Sequence, residues 1–243
     1  MRPDVALAFG VAAALANLAG AAAVARSARM GLKVIELTVA FSAGFLLALS
    51  MVAAIPAALA RHPATAAPII LLGYLLVHLS QHTLTPHFHF GEETHAVSAH
   101  ASRAALLGLL LHTFFDGVAI ASGFLMGPSL GALFFTAIFL HKLPEGVTAS
   151  SLVVASGGSF GRGYAAAAML GMATILGVLV TAEIPVLNEY GLALASGVML
   201  YVGASNLVPE FQAKRRWAIA LAFFAGAGAF LVSDIVMRRV FGA

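Results

Sequence analysis

The chain has 243 residues, 61% hydrophobic and 9% charged, with a formal net charge of +3. A soluble domain carries about 25% charged residues, so this chain has too little charge to cover a soluble surface and reads as an integral membrane protein. Its few basic residues form no stripe, which argues against nucleic acid as a partner, and the absence of cysteine excludes disulfides and thiolate metal sites.

A helix needs about 20 apolar residues to cross the hydrocarbon layer. The first such stretch, roughly 4–25, lies in "MRPDVALAFGVAAALANLAGAAAVAR". Its apolar run is longer than a signal-peptide core and its charged leader is weak, so it is expected to be a retained span. Seven more stretches follow, at roughly 34–60, 66–83, 104–126, 129–154, 163–184, 190–209 and 217–237. The predicted class is therefore all-α: a polytopic integral membrane protein with eight transmembrane helices in one domain over residues 1–243. Connections are short, except for a histidine-rich loop at about 84–103 between spans three and four. Gly, Ala and Ser are abundant within the spans, as close helix packing in lipid requires.

Short-loop Lys and Arg set the orientation. With the N-terminus outside, eight basic residues fall on the inner side and four on the outer, with Lys142 inside a span. The bias predicts a multi-pass inner-membrane protein with both termini extracytoplasmic and the histidine-rich loop in the cytoplasm.

Spans four and five carry five ionisable residues: His112, Asp116, His141, Lys142 and Glu145. Each costs roughly 2.5–3.5 kcal/mol in lipid on insertion scales, so they are expected to face one another. His112 and Asp116 are four residues apart and share a helix face, as do His141 and Glu145. A turn near Met126-Gly127-Pro128 makes the two spans antiparallel, with His112 about 15 residues before it and His141 about 14 after it. At 1.5 Å per residue both histidines lie about 20 Å from that membrane face. Two imidazoles and two carboxylates at one depth suit a divalent transition metal, zinc above all. Pro144 removes a backbone bond in span five and frees a carbonyl near Leu140, and broken helices are common at transporter sites.

"HTFFDGVAIASGF" and "HKLPEGV" resemble the paired fourth- and fifth-helix motifs of the ZIP (Zrt-, Irt-like protein) metal transporters, prokaryotic type. "GFLLALSMVAAIP" resembles the family's second helix and "LYVGASNLVPE" its seventh, so the resemblance covers nearly the whole chain. It implies metal ligands at His112, Asp116, His141 and Glu145, and movement of zinc, or of iron, manganese or cadmium, into the cytoplasm. A homodimer is expected by family analogy alone. Many members hold a second metal with an Asn in span four and acids in spans five and six. Here those positions read Thr113, Lys142 and, in "GMATILG", Thr174. An ammonium repels a dication, so one metal is expected rather than two, with Lys142 standing in for the second cation.

Other polar residues are weaker candidates. His82, His87, His89, His95 and His100 are spaced too irregularly for a closed structural zinc site; cytosolic metal capture and a solvated loop are the two readings. His78 reads as an exit-path or interfacial residue; Ser205, Asn206 and Glu210 near the end of span seven, and Glu183 and Glu189 at the outer face, read either as groups that attract cations at the pathway mouths or as ordinary helix-end polar groups. Met51 and Met172 read as core or lipid-facing ahead of soft sulfur donors in the pathway, and Asp234 as an interfacial or packing residue. The rival functions are an intramembrane zinc-dependent hydrolase, with three protein ligands and a water on zinc, and a metal sensor that transports nothing.

Overall fold

A computed structural model describes residues 3–26, 32–83, 99–212 and 216–241. All secondary structure among them is helical: α1 (Pro3–Arg26), α2 (Leu32–Leu49), α3 (Ile55–Arg61), α4 (Ala66–His78), α5 (Ala99–Met126), α6 (Pro128–Ala155), α7 (Phe160–Glu183), α8 (Pro185–Tyr201), α9 (Pro209–Gln212) and α10 (Trp217–Phe241). Three π-helical turns join them, Ser50–Ala54 between α2 and α3, Leu79–Thr83 after α4, and Val202–Leu207 after α8. The residues flanking the first turn keep right-handed helical dihedrals, so α2 runs through it into α3 as one rod. Among the described residues seven rods are long and apolar enough to cross a membrane, and the shorter apolar helix Ala66–Gln81 makes eight, in line with the apolar runs of the sequence. Two boundaries differ by about one turn: α5 begins at Ala99, so Ala99–Arg103 belong to the helix rather than the loop, and α8 begins at Pro185 rather than near residue 190.

The outward faces carry Met51, Leu71, Leu107, Met172, Leu221 and Phe224, all exposed, as lipid contact favours. Inside, two sets of helices pack most closely. α1, α5, α6 and α7 form one set; in the other, α2 packs on α10 and α4 on α8. Without a hydrophobic drive between helices in lipid, contact depends on close backbone approach. Where α5 meets α7, a methyl group on Gly117 would strike the Thr174 carbonyl, and one on Gly177 the Phe114 carbonyl. α1 and α6 meet in the same reciprocal way, through Gly20 against Leu143 and Gly146 against Asn17. These two crossings bracket the centre of α5 and α6.

The sharp turn between α5 and α6 is made at Gly127, with φ 148° and ψ 161°, a backbone conformation open to glycine. Pro128 then opens α6 at its first turn, where its missing N–H is no loss. Pro144 does not break α6, which runs continuously from Pro128 to Ala155. Pro144 still has no N–H to offer the Leu140 carbonyl, but the helix carries on past it, packed by α1, α5 and α7. The irregular backbone lies instead in spans two, three and seven, at the π-turns.

Candidate metal site between α5 and α6

The five ionisable residues of spans four and five converge. Exposure is 5% for His112, 1% for Asp116, 3% for His141, 0% for Lys142 and 7% for Glu145. The antiparallel arrangement crosses the pairs, so each histidine faces the acid of the other helix. His112 Nε2 lies 3.7 Å from Glu145 Oε2, and His141 Nε2 lies 3.3 Å from Asp116 Oδ2. Lys142 Nζ sits between the carboxylates, 2.7 Å from Asp116 Oδ2 and 2.7 Å from Glu145 Oε2. Two carboxylates and one ammonium leave a formal charge of −1 with neutral imidazoles.

Neighbouring groups fix each side chain. His141 Nδ1 is 3.0 Å from the Ala137 carbonyl, one turn back on the same helix. A carbonyl only accepts, so Nδ1 carries a proton and Nε2 faces the site. Thr113 Oγ1 donates to Glu145 Oε1 at 2.6 Å and accepts from Lys142 Nζ at 3.3 Å. The residue at the lost Asn position is therefore a holder of the carboxylate. Thr174 is fully buried, donates to the Leu170 carbonyl at 3.4 Å, and packs its own carbonyl against Gly117, beside Asp116. The register assigned to "GMATILG" thus brings α7 to the depth of the site.

One ligand atom each from His112, Asp116 and Glu145 lies within 4.8 Å of the others, and His141 joins this group through Asp116. Four ligands on tetrahedral zinc at 2.0–2.2 Å stand about 3.4 Å apart; the two cross-helix pairs, at 3.7 and 3.3 Å, are near that spacing, whereas the four side chains together must draw in, since His141 stands outside the group whose ligand atoms all lie within 4.8 Å of one another. The donor set can hold a divalent cation once the carboxylates turn part of their charge from Lys142 towards it.

Sequence reasoning missed Gln81 altogether and placed Asn206 at a pathway mouth or helix end, without its link to this site. Gln81 Nε2 is 3.1 Å from His112 Nδ1, and Asn206 Nδ2 donates to Gln81 Oε1. A lone Gln or Asn near a span end has no periodic signature, so only the fold reveals the contact.

The remaining candidates lie elsewhere. His78 stacks against Tyr74 and meets Tyr201 edge-on, with ring centroids 6.4 and 5.8 Å away, in an aromatic cluster between α4 and α8. His100 is exposed near the start of α5. His87, His89 and His95 lie outside the described residues, as do the side chains of His82 and Glu210. Glu183 and Glu189 are exposed at the opposite end of the bundle from Glu36 and Arg216. Asp234 pairs with Arg238 one turn on at 2.9 Å, and Met51 and Met172 are exposed on outer faces.

Comparison with known proteins converges on the same reading. The family model described as ZIP zinc transporter matches residues 79–234, from the second π-turn into α10. The chain is 33% identical to "Zinc transporter GufA" of Myxococcus xanthus over 149 residues, 58% of each chain. It is 31% identical to "Zinc transporter ZIP6" of Homo sapiens over 111 residues, 43% of this chain and 14% of the human protein. The matched region contains both doubled motifs, the π-turns that carry Gln81 and Asn206, and the α7 register at Thr174. The chain belongs to the ZIP zinc transporter family.

Proposed function

We propose that this protein carries divalent transition-metal ions, zinc foremost, across the membrane into the cytoplasm through one metal site between α5 and α6. The observation that carries this reading is the buried convergence of His112, Asp116, His141 and Glu145. The relatives' names as zinc transporters support zinc as the substrate. Iron, manganese and cadmium suit the same donors, and competition against zinc flux ranks them. First-row affinities follow a general order whatever the site, so rank depends on geometry and availability.

The four residues ligate the ion in turn with Lys142. Without metal, the ammonium neutralises both carboxylates. With metal, it is a fixed cation at about 2.7 Å from the same oxygens, so a second dication is disfavoured and release is eased. Thr113 holds Glu145 through both states. Access alternates by motion of the α1, α5, α6 and α7 set against the set of α2, α4, α8 and α10. The protein lies in the inner membrane with both termini outside and the histidine-rich loop in the cytoplasm. The expected assembly is a homodimer, which native mass spectrometry reads.

Zinc flux tests the function. Purified protein goes into liposomes holding a trapped zinc-sensitive dye, beside the Glu145→Ala variant. Saturable uptake in the parent and its loss in the variant are expected. Zinc bound by the parent without flux from either protein overturns transport in favour of a sensor.

A further inference from the structure

We propose that Gln81 and Asn206 are positioning residues for metal transport, forming an amide bridge from two π-turns that sets the ring of His112. The inference rests on the transport site proposed above.

The bridge spans three elements. Asn206 Nδ2 donates to Gln81 Oε1, which leaves Gln81 Nε2 to donate to His112 Nδ1 at 3.1 Å. Gln81 belongs to the π-turn Leu79–Thr83 and Asn206 to the π-turn Val202–Leu207. A π-turn adds about one residue per turn, which advances the side-chain register by about 100°. Such turns recur at functional sites. Here each one delivers a primary amide to the same chain of hydrogen bonds. The neighbouring residue anchors the second turn, since Ser205 Oγ lies 2.9 Å from Tyr74 Oη on α4.

His112 is thus addressed on both nitrogens, Nδ1 by the bridge and Nε2 by Glu145 at 3.7 Å. The choice of an amide has a physical reason. A primary amide donates from nitrogen and accepts at oxygen. As drawn, Gln81 donates to a bare Nδ1. With both amides turned over, Gln81 accepts from Nδ1–H instead. The ring therefore stays in place when Nε2 gives its lone pair to a metal and the proton sits on Nδ1. A lysine at position 81 could only donate. A neutral amide also leaves the charge of the site unchanged. Partners that orient a ligating histidine typically change metal affinity or activity by about 10–100-fold.

The test uses zinc uptake by the full chain in liposomes, together with ¹⁵N spectra of its histidines. Gln81→Leu is expected to raise the half-saturating zinc concentration about 10–100-fold, with a smaller effect on the maximal rate. Asn206→Leu should shift it in the same direction by less, and the double variant should be no worse than Gln81→Leu alone. Gln81→Glu keeps an acceptor for Nδ1–H and should recover most of the affinity. An unchanged half-saturating concentration in Gln81→Leu, or additive losses in the double variant, overturns the proposal. If Gln81→Leu fails to insert, Asn206→Leu against Gln81→Glu reads the same contrast. Metal-free protein gives an independent readout: the Nδ1 resonance of His112 should move in the Gln81 variants, and an unmoved resonance overturns the bridge. Absence of flux from the parent counts against the transport reading alone, because the resonance still reports on the bridge.

Discussion

Replacing Lys142 with methionine removes the ammonium that faces both carboxylates while keeping a long, unbranched side chain. Lys142 is fully buried, with its ammonium 2.7 Å from Asp116 and 2.7 Å from Glu145. Removing one partner of a buried ion pair costs about 3–5 kcal/mol. The two acids offer oxygens within 4.8 Å of one another, where like unit charges repel by about 3 kcal/mol at an effective dielectric of 20. The two figures describe the same loss, so the metal-free variant should be destabilised by about 3–5 kcal/mol. At this chain length that is a fall of about 10 °C in melting temperature. Zinc reverses the sign. The site changes from −1 to −2 without metal, and a dication then brings it to zero instead of +1. Repulsion between a dication and an ammonium about 4 Å apart is worth at least about 2 kcal/mol even at the dielectric of water. Zinc should therefore bind Lys142→Met at least about tenfold more tightly, rescue its stability, and leave more slowly. Melting in detergent with chelator and with zinc, together with calorimetric titration, checks all three. A variant that melts like the parent in chelator, or binds zinc more weakly, would refute the account of Lys142 as a built-in counter-cation.

Three further outcomes follow from the geometry. Thr113→Val deletes the 2.6 Å bond to Glu145; a hydrogen bond to a charged group is worth about 1.5–3 kcal/mol, and because this one is kept in both states its loss should show as a lower melting temperature with and without zinc, with little change in zinc affinity measured by titration. Gly117→Leu drives a side chain into the Thr174 carbonyl and should destabilise by 1–3 kcal/mol or more, read as lower melting temperature and lost flux, whereas the same change at Gly228, with open space around it, should be mild. The chain has no cysteine, so single cysteines report orientation. In right-side-out vesicles an impermeant maleimide should label Glu183→Cys directly and Arg162→Cys only after permeabilisation; the reverse pattern would invert the topology.

The eight spans were legible because long apolar runs are the strongest signal a chain can carry. The facing of α5 and α6 was legible as well, since the four-residue step from histidine to acid and a glycine-proline turn leave little freedom. The crossing of the pairs, His112 to Glu145 and His141 to Asp116, follows from antiparallel packing once both helices are placed. Other features were hidden for physical reasons. A π-turn absorbs one residue inside an otherwise helical run and leaves hydropathy unchanged, so none of the three was foreseen. Gln81 and Asn206 meet across 125 residues of sequence, and only tertiary packing brings them together. Pro144 read as a break, yet the packing of α6 overrides its local preference. Thr113 read as a lost ligand, because a hydroxyl that holds a carboxylate looks in sequence like any other threonine.

The central claim is that one metal ion is held between α5 and α6 by two histidines and two acids. Diffraction from zinc-soaked crystals at the zinc absorption edge tests it most directly. The account predicts one anomalous peak between the helices, within about 2.0–2.2 Å of nitrogen or oxygen atoms of His112, Asp116, His141 and Glu145, with the Lys142 ammonium still beside the two carboxylates. Two fully occupied peaks at that place, or a single peak remote from all four residues, would contradict it.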